Sequence, residues 1–576
     1  MAAGIGEWRR GRIRMGLGAM VMVVFAWVGM AGAAKAGEQQ PAQVAGVSAA
    51  EAMRLGEKIY RQGILPSGEP AQGMVRGDIP VDGTMFTCVS CHLRSGFGTS
   101  EGKVRTPPID GLRLYSPVSA FRGMPMVGPT GYVAEDKDFR PAYTDATLAA
   151  AMETGVDPAG RQMNSTMPMY SLSKRDMDIL VYYLKTLSVD VEPGVTETSL
   201  RFATVYSDEV PVADRESMLN SITNFVKNWR VPTPRMERTI RSVSHRKEGE
   251  ARGLRTLELS VWELKGQPQT WEAQLEEYYK KEPVFAILGG ISTREWTPIH
   301  RFCEGHKVPN LFPLTNFPVI STGDWYTLYL SKGLTQEAET AARYLHKQKK
   351  GAAPAVIQVF RDDLAGRTLS KAFQETWVAL DNKAPEARVL KAGETWTAND
   401  LDKMSAAGGP LTLVLWLQGE GFPDLTALAK KQNTVTVVAS ATQLGSALYT
   451  LPEAVRPLLS VTYPYSLPKE STGFRSQADP TLPEEKLPSV QRQPALKLYA
   501  VYQVLSAPLS KLRSFVHRDY FMELLETSPD LATTPVIYPR LSFGQGQRYA
   551  VKGCYMVALS AGSKPELIKK SDWVAY

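Results

Sequence analysis

The sequence predicts a two-part chain, with a mainly α N-terminal domain followed by a larger α/β domain. Three observations carry this. The 576 residues are more than one hydrophobic core ordinarily serves. Residues 46–188 are rich in Gly, Pro and Met, with short helical stretches between loops. From Leu200 onward, short β-rich apolar runs alternate with amphipathic stretches, the pattern of a parallel sheet wrapped by helices.

The bulk numbers narrow the class. Hydrophobic residues make up 43% and charged residues 22%, the balance of a soluble globular protein. The formal charge is +7, but residues 1–36 contain Arg9, Arg10, Arg12, Arg14 and Lys35 against Glu7. That net +4 leaves only +3 for the remainder, too little to imply a nucleic-acid partner. Residues 1–36 read as an export signal. Basic residues precede an apolar run from Met15 to Ala34, then small-x-small Ala34-Lys35-Ala36 and polar Gly37 to Gln40. Cleavage there places the mature protein in the periplasm with no membrane association; retention would make the segment an anchor.

Four cysteines, Cys88, Cys91, Cys303 and Cys554, are too few for an exported disulfide scaffold. Two stand in Cys88-Val89-Ser90-Cys91-His92, the pattern of covalent haem c attachment. The thiols add to the two vinyl groups on one porphyrin edge, and the turn between them swings His92 under the iron as proximal ligand. A structural zinc site needs further Cys or His nearby, and residues 37–195 contain none beyond these three. The same absence excludes a second His ligand within the domain, which leaves thioether sulfur as the usual sixth ligand. Ten methionines compete. Met167 is favoured, in Thr166-Met167-Pro168-Met169-Tyr170, directly before a helix with Ser173 as its cap and Asp176 three residues on. Met177, Leu180, Val181, Leu184 and Leu187 form one face of that helix. Met169, Met163 and Met124-Pro125-Met126 are rivals.

Residues 51–187 resemble a class I cytochrome c domain. Gly56-Glu57-Lys58-Ile59-Tyr60 is similar to its first helix, residues 88–92 to its haem motif, and Met167-Pro168 with Tyr182-Tyr183-Leu184 to its C-terminal part. The resemblance implies Met167 as distal ligand and contact between the two terminal helices. It departs from the family at Arg61–Thr87, an insertion read as a solvated loop or a flap at the haem edge.

Val189–Ser199, with Pro193 and Gly194, is the predicted linker to a domain over 200–576. Strands are predicted at Arg201–Tyr206, Val284–Leu288, Ala355–Phe360, Leu411–Leu417 and Thr434–Ala439. Helices are predicted at Arg215–Trp229, Gln336–His346 and Leu369–Leu380. Pro464–Gln493 reads as a long surface loop, and no sequence repeat is visible. The stretch Val284–Ser292, Val308–Pro313 and Gly333–Gln336 resembles type I periplasmic solute-binding proteins of the branched-chain amino-acid class. That resemblance implies a two-lobed, periplasmic-binding-protein-like α/β fold. It also implies that the turn at Gly290, Ser292 and Thr293 holds a ligand carboxylate on backbone N–H and hydroxyl groups. The competing reading is a tight turn with Ser292 as a helix cap. Tyr206 and Asp362 follow strands and are weaker pocket candidates. His300 and His306 flank Cys303 without zinc spacing. Cys303 and Cys554 either pair or stay as buried thiols.

Together these features predict a periplasmic electron carrier with one covalent haem c and no enzymatic activity. Its second domain docks a redox partner, such as a periplasmic dehydrogenase, or binds an amino acid or small acid. The alternative is a solute-binding or sensor protein whose haem reports redox state. A peroxidase would need an open sixth position.

Overall fold

The computed structural model describes residues 43–101, 104–118, 139–229, 255–349, 354–391, 409–467, 489–512, 515–527, 537–544 and 546–575, with a few more between 393 and 403. The export signal and Met124-Pro125-Met126 lie outside these residues.

The N-terminal domain opens on β1 (Gln43–Val44) and β2 (Val47–Ser48), an antiparallel pair that leads into α1 (Ala49–Gln62). Ser48 caps α1 by accepting from the Glu51 N–H, and Gly63 ends it in the left-handed region. Then come β3 (Gln72–Val75), β4 (Ile79–Asp82), α2 (Cys88–His92), and a small pair of β5 (Ser100–Glu101) with β6 (Val104–Arg105). They are followed by α3 (Gly111–Leu114), α4 (Asp145–Thr154), β7 (Met169–Ser171) and α5 (Lys174–Thr186). Ser173 caps α5 on the Asp176 N–H, and the anticipated face from Met177 to Leu187 is buried.

The two terminal helices meet, as the resemblance implied. They cross at Gly56, where a Cβ would stand 2.4 Å from Tyr183 Cβ and 3.0 Å from Ile179 O. The Tyr60 and Tyr183 rings lie 5.4 Å apart at the same crossing. Gly56→Val will force the helices apart and destabilise the domain by about 1–3 kcal/mol, measured by urea unfolding.

The Arg61–Thr87 insertion is not a plain loop. β3 and β4 form a hairpin, and β3 also pairs with β7, so the insertion makes a three-stranded antiparallel sheet. Gly73 and Val75 face inward while Gln72 and Met74 face out, an alternation too short to read among the surrounding Gly and Pro residues.

The larger domain has two lobes of the same topology. Lobe 1 contains β8 (Ser199–Ser207), α6 (Val212–Asn228), β9 (Thr256–Leu264), α7 (Trp271–Lys281), β10 (Ala286–Leu288), α8 (Thr297–Gly305), β11 (Asn310–Leu311) and β12 (Thr327–Leu328). Its strands are parallel in the order β9-β8-β10-β11-β12. Lobe 2 contains α9 (Leu334–Gln348), β13 (Ala355–Arg361), α10 (Leu364–Ala379), β14 (Glu386–Leu390), β15 (Leu411–Trp416), β16 (Val435–Ser440) and β17 (Leu459–Tyr463). Its parallel order is β14-β13-β15-β16-β17. Counted within each lobe, both sheets run 2-1-3-4-5, the doubly wound arrangement. The repeat is one of topology, set by hydrophobic pattern and connection handedness, so it leaves no sequence repeat.

After β17 the chain returns to lobe 1 as α11 (Ser489–Leu512) and α12 (Arg518–Glu526), whose Leu498, Val501, Leu505, Tyr520 and Phe521 share the core of Phe202 and Leu288. The anticipated loop therefore ends earlier than Gln493. Pro494 and Pro508 both stand inside α11, where each removes one intrahelical N–H donor. The chain finally rejoins lobe 2 as β18 (Tyr555–Leu559) and β19 (Leu567–Lys569), both antiparallel.

The N-terminal domain is built into lobe 1. Phe97, from the loop after α2, is 1% exposed and belongs to the lobe 1 core. Its ring lies 5.7 Å from Phe515, 5.7 Å from His517 and 4.8 Å from Tyr520. The Arg113 guanidinium, paired with Asp110 at 2.6 Å, stacks over both Phe97 and Phe515. Arg61 pairs with Asp519 at 2.8 Å, and Lys307 with Glu57 at 2.9 Å, across the same junction. The linker packs too, with Glu192 accepting from the Arg518 N–H at 3.1 Å.

Candidate haem site and interlobe cleft

The haem motif folds as one short helix, α2. Cys88 is half-buried, Cys91 is exposed, and both are free thiols. His92 is buried, and its Nδ1 lies 3.0 Å from Pro107 O. A carbonyl oxygen only accepts, so Nδ1 carries the proton and Nε2 keeps the lone pair a metal needs. Burial holds the ring pKa down at about 4, against a weaker upward pull from Pro107, so the imidazole stays neutral.

The loop after His92 explains how Pro107 reaches it. Leu93 takes φ 64°, rare for a residue with a side chain. Tyr60 Oη, on α1, donates to Leu93 O at 2.6 Å and holds that turn. The Gly98 N–H donates to His92 O at 3.0 Å, and a Cβ at Gly98 would stand 2.2 Å from Thr106 O. Only glycine lets the two strands of the loop close on each other. The Ile109 N–H donates to Gly96 O at 2.7 Å and fastens the base.

Of the methionine rivals, Met163 shares the surroundings of Met167 and Met169 lies apart. Asn164 Oδ1 accepts from the Thr166 N–H at 3.0 Å, and the Met167 N–H donates to Asn164 O at 3.0 Å, a turn that fixes the backbone at Met167. Met167 and Met163, both half-buried, pack on the cluster that also contacts Cys88 and Val89. Met169 sits in β7 opposite Met74, with its sulfur against Gly155 at the end of α4. Two free thiols one turn apart, a pinned neutral imidazole and a thioether on the same cluster fit haem c. Met85 and Phe86, just before the motif, are exposed apolar residues at its edge.

The second anticipated site has a different occupant. In lobe 1, β8 and β10 flank the point where strand order reverses, the crevice where doubly wound folds take ligands. Gly290 makes the turn there with φ 94°, as its sequence suggested. Glu209, which follows β8, fills the donors beyond it. Its Oε1 accepts from Ser292 Oγ at 3.2 Å, the Thr293 N–H at 3.2 Å, Thr293 Oγ1 at 3.1 Å and Ser207 Oγ at 2.6 Å. Arg294 Nε stands 3.6 Å from Oε2. Burial opposes its ionisation, but hydrogen bonds from Ser207 and Thr293 outweigh that and hold the carboxyl below its ordinary range. Helix α8 begins only at Thr297, so Ser292 caps no helix; its Oγ accepts from the Arg294 N–H within a local turn. An acidic residue just after a strand was the available signal for Glu209. Of the weaker candidates, Tyr206 lies beneath the Arg215 guanidinium, and Asp362 is an exposed partner of Arg367.

An open cleft lies where the lobes meet. Thr315 and Asn316 line it from lobe 1, Thr442 and Tyr465 from the far side, and Lys497 from α11. Glu337 forms part of its wall, its carboxylate accepting from Ser440 Oγ and Thr462 Oγ1, both at 2.7 Å. Burial raises the Glu337 pKa, partly offset by Thr442 and Thr462.

Among the described residues, the other cysteines and histidines gather into nothing larger. Cys303 and Cys554 are separate buried free thiols, one on α8 and one before β18. His300 bonds Tyr329 Oη and Asp324, and His306 bonds Glu276. Among the described residues no group of three or more His, Cys, Asp or Glu could hold a metal ion. Among the same residues, no helix is long and apolar enough to cross a membrane.

Residues 84–188 match the family model of cytochrome c. The chain thus joins a cytochrome c segment, a family that implies haem c, to a two-lobed, doubly wound α/β domain. Solved structures similar to it include a type 1 periplasmic binding protein from Bordetella pertussis Tohama I, 12% identical, covering 64% of this chain and 100% of that one at TM-score 0.43. A branched chain amino acid ABC transporter protein from Thermus thermophilus with bound valine is 10% identical, covering 66% and 97% at TM-score 0.44. An ABC transporter substrate-binding protein from Sphaerobacter thermophilus is 13% identical, covering 66% and 98% at TM-score 0.46. No curated protein matches the chain.

Proposed function

We propose that this protein is a periplasmic electron carrier, exported by residues 1–36, with one haem c attached through Cys88 and Cys91 and ligated by His92 and Met167. The observation that carries this reading is the pinned imidazole, with His92 Nδ1 donating to Pro107 O at 3.0 Å inside the cytochrome c segment. When bound, haem supplies a one-electron couple between Fe(III) and Fe(II). Pro107 fixes the His92 tautomer, and Tyr60 holds the turn behind it. Met167 offers a neutral, weakly basic sulfur, which favours the reduced state relative to a second imidazole. His92 and Met167 would together hold the haem iron, and iron so held would supply electron transfer rather than oxygen or peroxide chemistry. The α/β domain docks the redox partner, a periplasmic dehydrogenase in this reading, and its interlobe cleft admits a small ligand such as an amino acid or small acid. Lys497 and Asn316 are among the residues with donors that line that cleft.

Redox titration of the full chain with haem attached tests the proposal. A reversible, low-spin couple that ignores added cyanide is the expected result. A high-spin haem that binds cyanide at once would overturn it.

Ligand binding at the Gly290 turn has its own test at Glu209. Glu209→Ala releases Ser292 and Thr293, so small carboxylic acids should bind the variant about tenfold more tightly than the native chain, the worth of one charge-assisted hydrogen bond at ~1.5 kcal/mol. Thermal-shift titration measures this. Equal shifts in the two proteins would place the ligand away from that turn.

A further inference from the structure

We infer that Glu523, on the lobe 1 helix α12, is a proton-accepting partner of the haem site, taking up a proton on reduction and releasing it on oxidation. This rests on the electron-transfer reading above. It adds a function that the haem motif alone does not supply, namely proton-coupled transfer through a residue of the other domain.

The geometry is specific. Glu523 is 2% exposed. Its carboxylate accepts from the Ser95 N–H at 2.8 Å and from Ser95 Oγ at 2.5 Å, and it is also bonded by the Arg94 N–H. These donors belong to the loop that leaves His92. That loop is held on every side, by Tyr60 on Leu93 O, by Ser188 Oγ on Ser95 O at 2.8 Å, and by the buried Phe97. Charge placed on Glu523 therefore acts on a rigid segment three residues from the axial His.

The surrounding ionisable groups leave this carboxyl without a cation. Asp519, one turn earlier on α12, takes Arg61 at 2.8 Å and the Tyr326 hydroxyl at 2.8 Å. Arg94 stacks on Trp325 at 4.2 Å, and Arg113 pairs with Asp110. Tyr60 from α1 and Tyr520 from α12 complete the surroundings, and His517 lies beyond Phe97. Among the described residues no ion pair joins Glu523. A buried carboxylate without a cation is expensive, and it lowers that expense by holding a proton. Burial pushes the Glu523 carboxyl up to about 8, with Asp519 adding to the rise and the Ser95 hydrogen bonds opposing it.

The step balances simply. One electron arrives from a one-electron donor, the partner protein in the cell or a chemical mediator in the cuvette. One proton from solvent forms an O–H bond on a Glu523 carboxyl oxygen. Reduction removes one positive charge from the neighbourhood, so the ionised carboxylate loses its attraction and the protonated form gains. Oxidation reverses both movements. Reduction is then easier at low pH than at high pH.

Potentiometric titration of the haem-loaded full chain from about pH 6 to about pH 10 tests this. The midpoint potential is expected to fall as pH rises through about 8, and to lose that fall in Glu523→Gln. Ser95→Ala, which removes a bond to the ionised form, is expected to move the falling segment to higher pH. Reduced-minus-oxidised infrared spectra of the native chain should gain the carbonyl stretch of a protonated carboxyl. A flat potential in the native chain, or an unchanged slope in Glu523→Gln, would overturn the inference while leaving the carrier reading intact. Should Glu523→Gln not fold, a slope insensitive to Ser95→Ala, or an infrared spectrum without the carboxyl band, would overturn it equally. A chain with no reducible haem overturns both.

Discussion

Phe97→Ala is expected to lower the unfolding free energy of the full chain by about 3–5 kcal/mol. The side chain is fully enclosed by Phe515, His517 and Tyr520 of the other domain, with Arg113 stacked on its face. Deleting it removes a large buried area and leaves a cavity that rigid aromatic neighbours cannot fill. The Arg113 guanidinium, itself 1% exposed, loses one of its two ring partners at the same time. Because Phe97 leaves the cytochrome domain to complete the lobe 1 core, the loss should also separate the melting of the two domains. Differential scanning calorimetry measures both effects. A change below about 1 kcal/mol, with the domains still melting together, would mean that the junction is held elsewhere.

Arg518→Ala should be of similar size, about 3–5 kcal/mol, for a different reason. Arg518 is 4% exposed and begins α12. Its guanidinium donates to Val284 O at 2.7 Å, Phe285 O at 3.0 Å, His306 O at 3.2 Å, Lys307 O at 3.3 Å and Tyr279 Oη at 3.1 Å. Those carbonyls belong to the entry into β10 and the end of α8. Removing one side chain leaves several buried acceptors unmatched at once and strands the Glu192 carboxylate, 3.8 Å from Arg518 Nε. Arg518→Lys keeps the charge but not the planar fork, so it should recover only a small part of the loss. Full recovery by lysine in urea denaturation would show that charge, rather than the fork of donors, holds this corner.

What could be read from the sequence was whatever is local or periodic. The Cys88–His92 spacing, the Ser173 cap and the Met177–Leu187 face each lie within about one helix, and the structure keeps the cap and the face where they were expected. The apolar runs at Ala355–Phe360 and Leu411–Leu417 likewise fall on β13 and β15. Polar contacts across the chain left no such trace. Ser95 and Glu523 are 428 positions apart, and Arg518 lies 233 positions from Phe285. Neither Glu523 nor Arg518 stands at a spacing that betrays its partner. The short strands β11 and β12 are two residues each, below the length at which alternation can be recognised. Glu209 shows the same limit at a functional position. Ser292 and Thr293 were legible as donors, but the carboxylate that takes them comes from 83 and 84 residues earlier.

In the proposed reading His92 and Met167 hold the haem, and Met167 is the half that spectroscopy reaches most directly. The decisive measurement is the oxidised visible spectrum of the exported, haem-loaded chain beside its Met167→Ala and Met169→Ala variants. The native chain and Met169→Ala should show the long-wavelength charge-transfer band of a Met–iron bond, and Met167→Ala should lose it. A Met167→Ala spectrum that keeps the band would contradict ligation by Met167.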